Sequence, residues 1–265
     1  VYRNYGAHKR RNHPPALCRD HPEGRAVEVS GKDSGIPKES RKGASKTLGE
    51  KDSDREAESM NPSEETALRY IMQDIPCPTI VELGAHTGED APFLESLGVG
   101  QGLHVMVEAD SKNADRIAPT PLRRIFTAAI GGKSELRGFH ICEGATGSGS
   151  ILAPTGHLTT FPTITFPKTI SVACYTLDWL FKHLALEKID LLYVDIQGAE
   201  GEMIAGGAKA LARTRYLFIE AEEQEFYKGQ LLRPELLSKL VGWTLIGEFP
   251  EANVHLRNEN YVLPK

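Results

Sequence analysis

The sequence predicts an α/β fold built on a doubly wound, mostly parallel sheet with a β-rich insertion, and three observations carry that expectation. From residue 61 onward, short β-branched runs alternate with segments of helical periodicity, the pattern of parallel strands joined by crossover helices. The first of these runs enters a glycine-rich turn, Gly84-Ala85-His86-Thr87-Gly88, the kind of join that open α/β sheets place at a ligand-binding edge. The alternation breaks once, over residues 131–174, where two strand-like runs flank a Gly/Ser/Thr/Pro-rich loop.

Residues 1–60 hold only six Val, Ile, Leu or Phe side chains against 13 Lys or Arg and 10 Asp or Glu. Such a stretch buries too little apolar surface to offset chain entropy, so a disordered charged tail is expected there and a folded domain over 61–265. The first 19 residues carry five basic and no acidic side chains, which resembles an organelle-targeting peptide, but Ser is absent and no apolar core follows. In the domain, Ser63 reads as an N-cap with Glu64 and Glu65 in the first turn, and Ala67, Leu68, Ile71 and Met72 share a helical face. That helix ends before Pro76. Strands are expected at 79–83, 103–108, 123–128, 189–195 and 215–220, and helices at 91–97, 112–117 and 199–212. Inside the insertion, 136–142 and 169–174 read as strands and the intervening loop as a lid or substrate loop. Segments 243–249, 254–256 and 261–263 read as terminal strands, with a turn over 250–253.

Composition removes several classes of function. No apolar run approaches the roughly 20 residues of a spanning helix. The net charge of −5, concentrated as −8 over 61–265, lacks the positive excess that binds phosphates, which argues against nucleic acid as a partner. Cys18, Cys77, Cys142 and Cys174 are widely spaced, suggesting neither a disulfide framework nor a structural zinc site and favouring a reducing, cytoplasmic compartment.

Two constellations carry the chemistry. In the first, a strand through Glu82 runs into Gly84, Ala85, His86 and Gly88, whose glycines allow close backbone approach and whose following helix offers unpaired N–H groups. Glu108 ends the next strand, where an acid can accept both hydroxyls of a ribose, and Ala109 follows it. His86 stands where the second glycine of a G-x-G-x-x-G dinucleotide fingerprint would be, so a nucleoside ligand without pyrophosphate is favoured. In the second, Asp195 ends a strongly apolar strand and precedes Ile196-Gln197-Gly198-Ala199-Glu200, while Glu220 ends the next strand at the same edge. Glu200 also suits a helix first turn by its charge alone.

The blocks Val81-Glu82-Leu83-Gly84-Ala85-His86-Thr87-Gly88, Tyr175-Thr176-Leu177-Asp178, Ile189-Asp190-Leu191-Leu192, Asp195 through Glu200, and Gly207-Ala208 resemble the FkbM-type S-adenosylmethionine-dependent methyltransferases, over about residues 65–263. The resemblance implies a Rossmann-like, class I methyltransferase-like fold, S-adenosylmethionine as cofactor, and O-methylation of a small-molecule or glycan hydroxyl, with Glu82, Gly84, Ala85, His86, Gly88, Glu108 and Ala109 at the cofactor. Ser148-Gly149-Ser150-Ile151-Leu152 resembles a Ser-rich segment of the same family more weakly. Two departures stand out: Ala109 replaces the usual Pro after the ribose acid, and Gln197 replaces the usual Glu before Gly198.

Methyl transfer to oxygen needs alignment of the acceptor and removal of its proton. Asp195 is the expected base because it ends the central strand beside the cofactor turn; Glu220 is the alternative, then His86 and His140. No His/Cys/Asp cluster has metal-ligand spacing, so no metal is expected. Two rival readings remain: an NAD-dependent oxidoreductase, which the missing third glycine and the absence of a Tyr-x-x-x-Lys pair disfavour, and a catalytically silent nucleoside-binding scaffold suggested by Gln197.

Overall fold

The protein is described by a computed structural model over residues 62–250 and 252–262; the charged segment 1–60 lies outside the described residues. The elements are α1 (Pro62–Met72), β1 (Thr79–Leu83), α2 (Ala91–Leu94), β2 (Leu103–Glu108), α3 (Ser111–Ala114), β3 (Arg123–Thr127), β4 (Ala129–Ile130), β5 (Glu135–Glu143), a 3₁₀ turn (Thr146–Ser148), α4 (Gly156–Thr160), β6 (Thr165–Tyr175), α5 (Leu177–His183), β7 (Ile189–Val194), α6 (Glu200–Ala205), α7 (Ala208–Leu211), β8 (Thr214–Glu220), α8 (Arg233–Lys239), β9 (Trp243–Glu248) and β10 (Asn253–Asn258).

Seven strands form one sheet in the order β3-β2-β1-β7-β8-β10-β9. All neighbours are parallel except β10, which runs antiparallel to β8 and β9. The chain winds outward from β1 to β3, then returns to place β7 on the other side of β1, so the strand order reverses between β1 and β7. At such a switch point the loops leave in opposite directions and open a crevice.

Strand β7 is central and buried along its whole length, as a strand covered on both faces must be. Leu192 and Val194 face Leu177, Leu180 and Met203, while Leu191 and Tyr193 face Leu68, Met72 and Leu94. Each fully buried Val or Leu contributes roughly 1.5–3 kcal/mol over exposure, so this alternation locks the register that carries Asp195 to the strand end. Asp190, fully buried within β7, accepts the Thr79 N–H at 2.8 Å and lies 2.9 Å from Lys188 Nζ, which satisfies an otherwise costly charge.

Several local expectations are corrected. Ser63 is not the cap of α1: the helix already begins at Pro62, whose fixed φ suits a first turn. The helix expected over 91–97 closes at Leu94, and the chain reverses at Gly98 with φ +80. The helix expected over 199–212 is two helices, broken at Gly206 and Gly207. A Cβ at Gly206 would lie 2.7 Å from the Gly131 carbonyl, and Asp178 Oδ1 accepts the N–H groups of Lys209 and Ala210 to start α7 anew. Helices α5 and α8 were not anticipated. Residues 261 and 262 carry no strand, because the Asn258 side chain accepts the Asn260 N–H and turns the chain.

The insertion forms a separate three-stranded sheet, β4-β6-β5, with β5 and β6 antiparallel. Its intervening loop holds the 3₁₀ turn and α4 rather than being wholly irregular. Arg137 on β5 bonds Glu202 on α6 at 2.9 Å, fastening the small sheet to the helix that follows β7. Cys142 and Cys174 are buried free thiols. Among the described residues no helix is long and apolar enough to cross a membrane.

Candidate active site

The carboxyl ends of β1, β2 and β7 and the insertion surround a cleft that, counted with the solvent it opens to, holds about 510 Å³. Gly84 and His86 line it from the β1 turn, Val107, Glu108 and Ala109 from the end of β2, and Asp195, Ile196 and Gln197 from the end of β7. Phe139, Thr146, Gly149 and Ile151 close it from the insertion.

Gly84 has φ +86, and a Cβ there would sit 1.7 Å from the Asp195 carbonyl oxygen. The glycine is thus required by the neighbouring strand as much as by any ligand: it lets β1 leave the sheet directly beneath the Asp195 backbone, whose N–H bonds Leu83. The helix that follows is four residues long and begins only at Ala91, so the expected helix-end anion site is replaced by the turn itself. Ala85 and Gly88 pack with Met106 and Ile117 behind the turn rather than on the cleft.

Glu108 is buried where the end of β2 lines the cleft. Its Oε2 accepts the His86 N–H at 2.9 Å and its Oε1 the Asp110 N–H at 2.7 Å, which fixes the carboxyl plane and leaves a further lone pair on each oxygen. Burial outweighs these bonds and pushes the Glu108 carboxyl up to about 7. His86 itself has φ +46; its ring bridges Glu89 Oε1 at 3.1 Å and Thr146 Oγ1 at 2.7 Å, tying the turn to the insertion across the cleft mouth.

Asp195 opens onto the opposite wall. Its side chain is exposed at the strand end; the neighbouring protein raises the carboxyl above the ordinary aspartate range, against a hydrogen bond from Gln197 Nε2 at 2.7 Å. Glu200, buried at the start of α6, accepts the N–H groups of Ile196 and Gly198 and so shapes the loop that carries Asp195; burial pushes it to about 7. Glu82 and Glu220 are not among the lining residues. Glu82 points to the other face of the sheet, with Oε2 2.9 Å from His104 Nε2, and Glu220 ends β8 one strand further from the cleft.

A family model described as "Methyltransferase FkbM domain" matches residues 82–263. The chain belongs to the FkbM methyltransferase family. It is 35% identical over 196 residues to the 2-O-methyltransferase NoeI of Sinorhizobium fredii (strain NBRC 101917 / NGR234), spanning 69% of this chain and 80% of NoeI. Among solved structures, the methyltransferase FkbM of Methylobacillus flagellatus KT is similar at 14% identity and a TM-score of 0.43, over 74% of this chain and 50% of that one. An rRNA-methylase of Clostridium thermocellum, its function inferred, is similar at 10% identity and a TM-score of 0.44, over 77% and 99%.

In this FkbM methyltransferase the shared sequence blocks divide into lining and scaffolding. Thr176 Oγ1 accepts the Trp179 N–H and caps α5, Leu177 is core, and Asp178 starts α7, so that block builds the frame. The block from Asp195 to Glu200 does both. Sequence reasoning missed Tyr227, whose hydroxyl reaches Gln197, and Thr146, whose hydroxyl meets His86. The Phe226-Tyr227 pair within a polar stretch was the available sign for the first; nothing in the sequence marks the second. Ser150, within the weakly similar Ser-rich segment, donates to the Gln197 carbonyl at 2.7 Å.

Proposed function

We propose that this methyltransferase transfers the methyl group of S-adenosylmethionine to a hydroxyl oxygen of a small molecule or glycan. The observation that carries the reading is the single cleft in which Glu108 and Asp195 stand on opposite walls, one clamped by backbone N–H groups and one open at the strand end. The name of the relative NoeI, a 2-O-methyltransferase, supports oxygen as the acceptor atom.

The residues fit the cofactor. Glu108 retains one lone pair on each oxygen for two adjacent ribose hydroxyls, and Val107, Ala109, Ala128 and Ile130 offer a small apolar wall suited to a flat base. When bound, S-adenosylmethionine supplies an electrophilic methyl group on a sulfonium. The chain then has three tasks. Glu108 orients the nucleoside end, Phe139, Gly149 and Ile151 enclose the acceptor side against water, and Asp195 takes the acceptor's hydroxyl proton. The proton affinity of Asp195 is raised above that of an ordinary aspartate, the direction a general base needs. Gln197, where the family usually has Glu, acts as a neutral donor to Asp195 rather than as the base itself.

Titration calorimetry with S-adenosylmethionine against NAD separates a methyltransferase from an oxidoreductase, and release of S-adenosylhomocysteine over a panel of saccharides separates an active enzyme from a silent scaffold. Asp195→Asn is expected to lower turnover by roughly 10²–10⁴-fold, the usual contribution of a general base, with cofactor affinity little changed. A loss confined to cofactor binding would move Asp195 from base to cofactor holder. Glu220→Gln is the parallel control, expected to retain turnover.

A further inference from the structure

The Tyr227 hydroxyl lies 2.7 Å from the Ser148 carbonyl oxygen and 2.8 Å from Gln197 Oε1. It has one proton and two acceptors, so it serves one of them at a time. Gln197 in turn donates Nε2 to Asp195 Oδ1 at 2.7 Å. Both partners are tightly held. Tyr227 is fully buried and packs on Gly198, where a Cβ would meet its ring at 3.0 Å, and the Gln197 carbonyl is fixed by Ser150.

The chain of three side chains has two complete hydrogen-bond patterns, and which one holds depends on Asp195. With Asp195 ionised, Gln197 Nε2 donates to Oδ1, Oε1 faces Tyr227, and the Tyr227 proton points at Gln197. With the proton on Asp195 Oδ1, the oxygen that faces Gln197, that pattern no longer suits: the O–H donates toward the amide, and it needs an acceptor there. Rotation of the Gln197 amide by half a turn brings Oε1 to Asp195 and Nε2 to the Tyr227 oxygen, and the Tyr227 proton swings to the Ser148 carbonyl. Every N–H and O–H bond within Gln197 and Tyr227 stays intact; the only bond formed is the O–H on Asp195, with the proton that the acceptor hydroxyl gives up. A tyrosine suits this place because its hydroxyl both donates and accepts, and burial holds the phenol far above its ordinary range, so it stays protonated in either pattern. A carboxylate at 197 could not do this, since it offers no N–H.

We propose that Tyr227 and Gln197 form a two-state positioning switch that reads the protonation of Asp195 and passes it to Ser148 in the insertion. Tyr227 and Gln197 are positioning residues for the base; the insertion learns through Ser148 whether the acceptor's proton has been taken. The purpose of the switch rests on Asp195 being the base, whereas its existence does not.

The full chain with ¹³C at the Asp side-chain carboxyl and the Tyr ring carbon bearing oxygen provides the test, without cofactor or acceptor. Asp195→Asn identifies the Asp195 carboxyl signal and Tyr227→Phe the Tyr227 signal. Across a pH titration the Tyr227 signal is expected to step at the Asp195 midpoint. Other titrating groups face this region: His86 from the turn, Asp90 before α2, Tyr193 on β7, Glu200 on α6, and Glu220 and Glu222 after β8. Gln197→Met, equal in length but without an amide, therefore serves as the control: Asp195 still titrates and the Tyr227 step disappears. Gln197→Asn, at home at the positive φ of 53° found here and too short to bridge, replaces it should the methionine variant fail to fold. A Tyr227 signal that stays flat through the Asp195 titration, or a step that persists without the amide, overturns the switch. Loss of methyl transfer alone would instead bear on the proposed function, because this titration needs no turnover.

Discussion

On the β1–β2 wall of the cleft the carboxylate of Glu108 is clamped by two backbone N–H groups, whereas on the β7 wall Asp195 is held by a side-chain amide that is itself held by a tyrosine. The backbone donors, His86 and Asp110, sit in the turns that directly follow β1 and β2, whose register the core enforces, so the first wall is set as the sheet forms. Side-chain donors rotate, and the second wall depends on the insertion packing above it. The difference suits a cleft in which one ligand must be placed identically each time while a proton arrives and leaves on the other side. It also separates the energetics: damage on the first wall should appear in folding and cofactor binding, and damage on the second in turnover.

The largest expected effect breaks the first wall outright. Gly84→Ala places a Cβ 1.7 Å from the Asp195 carbonyl at a φ of +86, so the variant is expected to lose more than about 3 kcal/mol of stability or fail to fold, as chemical denaturation would measure. An unaltered denaturation midpoint would mean that β1 and β7 are not in this close register. Next comes Glu108→Ala, expected to weaken S-adenosylmethionine binding by about 1–3 kcal/mol, the cost of losing hydrogen bonds to a charged acceptor. Calorimetry that returned the same dissociation constant would take Glu108 out of the site.

Proton linkage sharpens the contrast, because stability and binding should respond to pH in opposite directions. Asp90, Glu108 and Glu200 are pushed to about 7 by burial, and in the unfolded chain such groups titrate near 4. Between pH 5 and 7 the folded protein therefore holds more protons at these sites, and its stability falls as pH rises through that window, by about 1.4 kcal/mol per pH unit per net proton at most. His255, lowered to about 4 by burial, opposes with a single proton. Cofactor affinity should move the other way, weakening below pH 7 as Glu108 loses its charge. Denaturation midpoints and calorimetry at pH 5.5 and 7.5 check both; a stability that rose with pH would contradict the assignment.

The smallest effect concerns the fastening of the insertion. Arg137→Ala removes the pair with Glu202 between β5 and α6, both side chains being about a quarter to a third exposed, so a loss of about 1 kcal/mol or less is expected. A loss several times larger, seen in the denaturation midpoint, would show that the small sheet is part of one cooperative core rather than a fastened addition.

The strands β1, β2, β7 and β8 of the large sheet were legible because each is a short apolar run whose length, β-branching and flanking turns are local properties, and β1 and β2 fall at the expected residues, whereas β4 had no such signal. The same holds for Gly84, Glu108 and Asp195: a glycine after a strand and acids at strand ends are visible one residue at a time, and the parallel order that brings their ends to one edge follows from the alternation of strands and helices. What the sequence could not decide were the contacts made across large separations. Whether residues 199–212 form one helix or two depends on Gly131 and Asp178, and whether Glu82 faces the cleft or His104 depends on the face that β1 turns to each layer. Tyr227 and Ser150 meet Gln197 from 30 and 47 positions away, through a loop and an insertion whose backbone no local propensity dictates. Periodicity and residue chemistry are short-range and survive in the sequence, while the partner of a given side chain is set by how the layers close over it, and that was decided only in the tertiary structure.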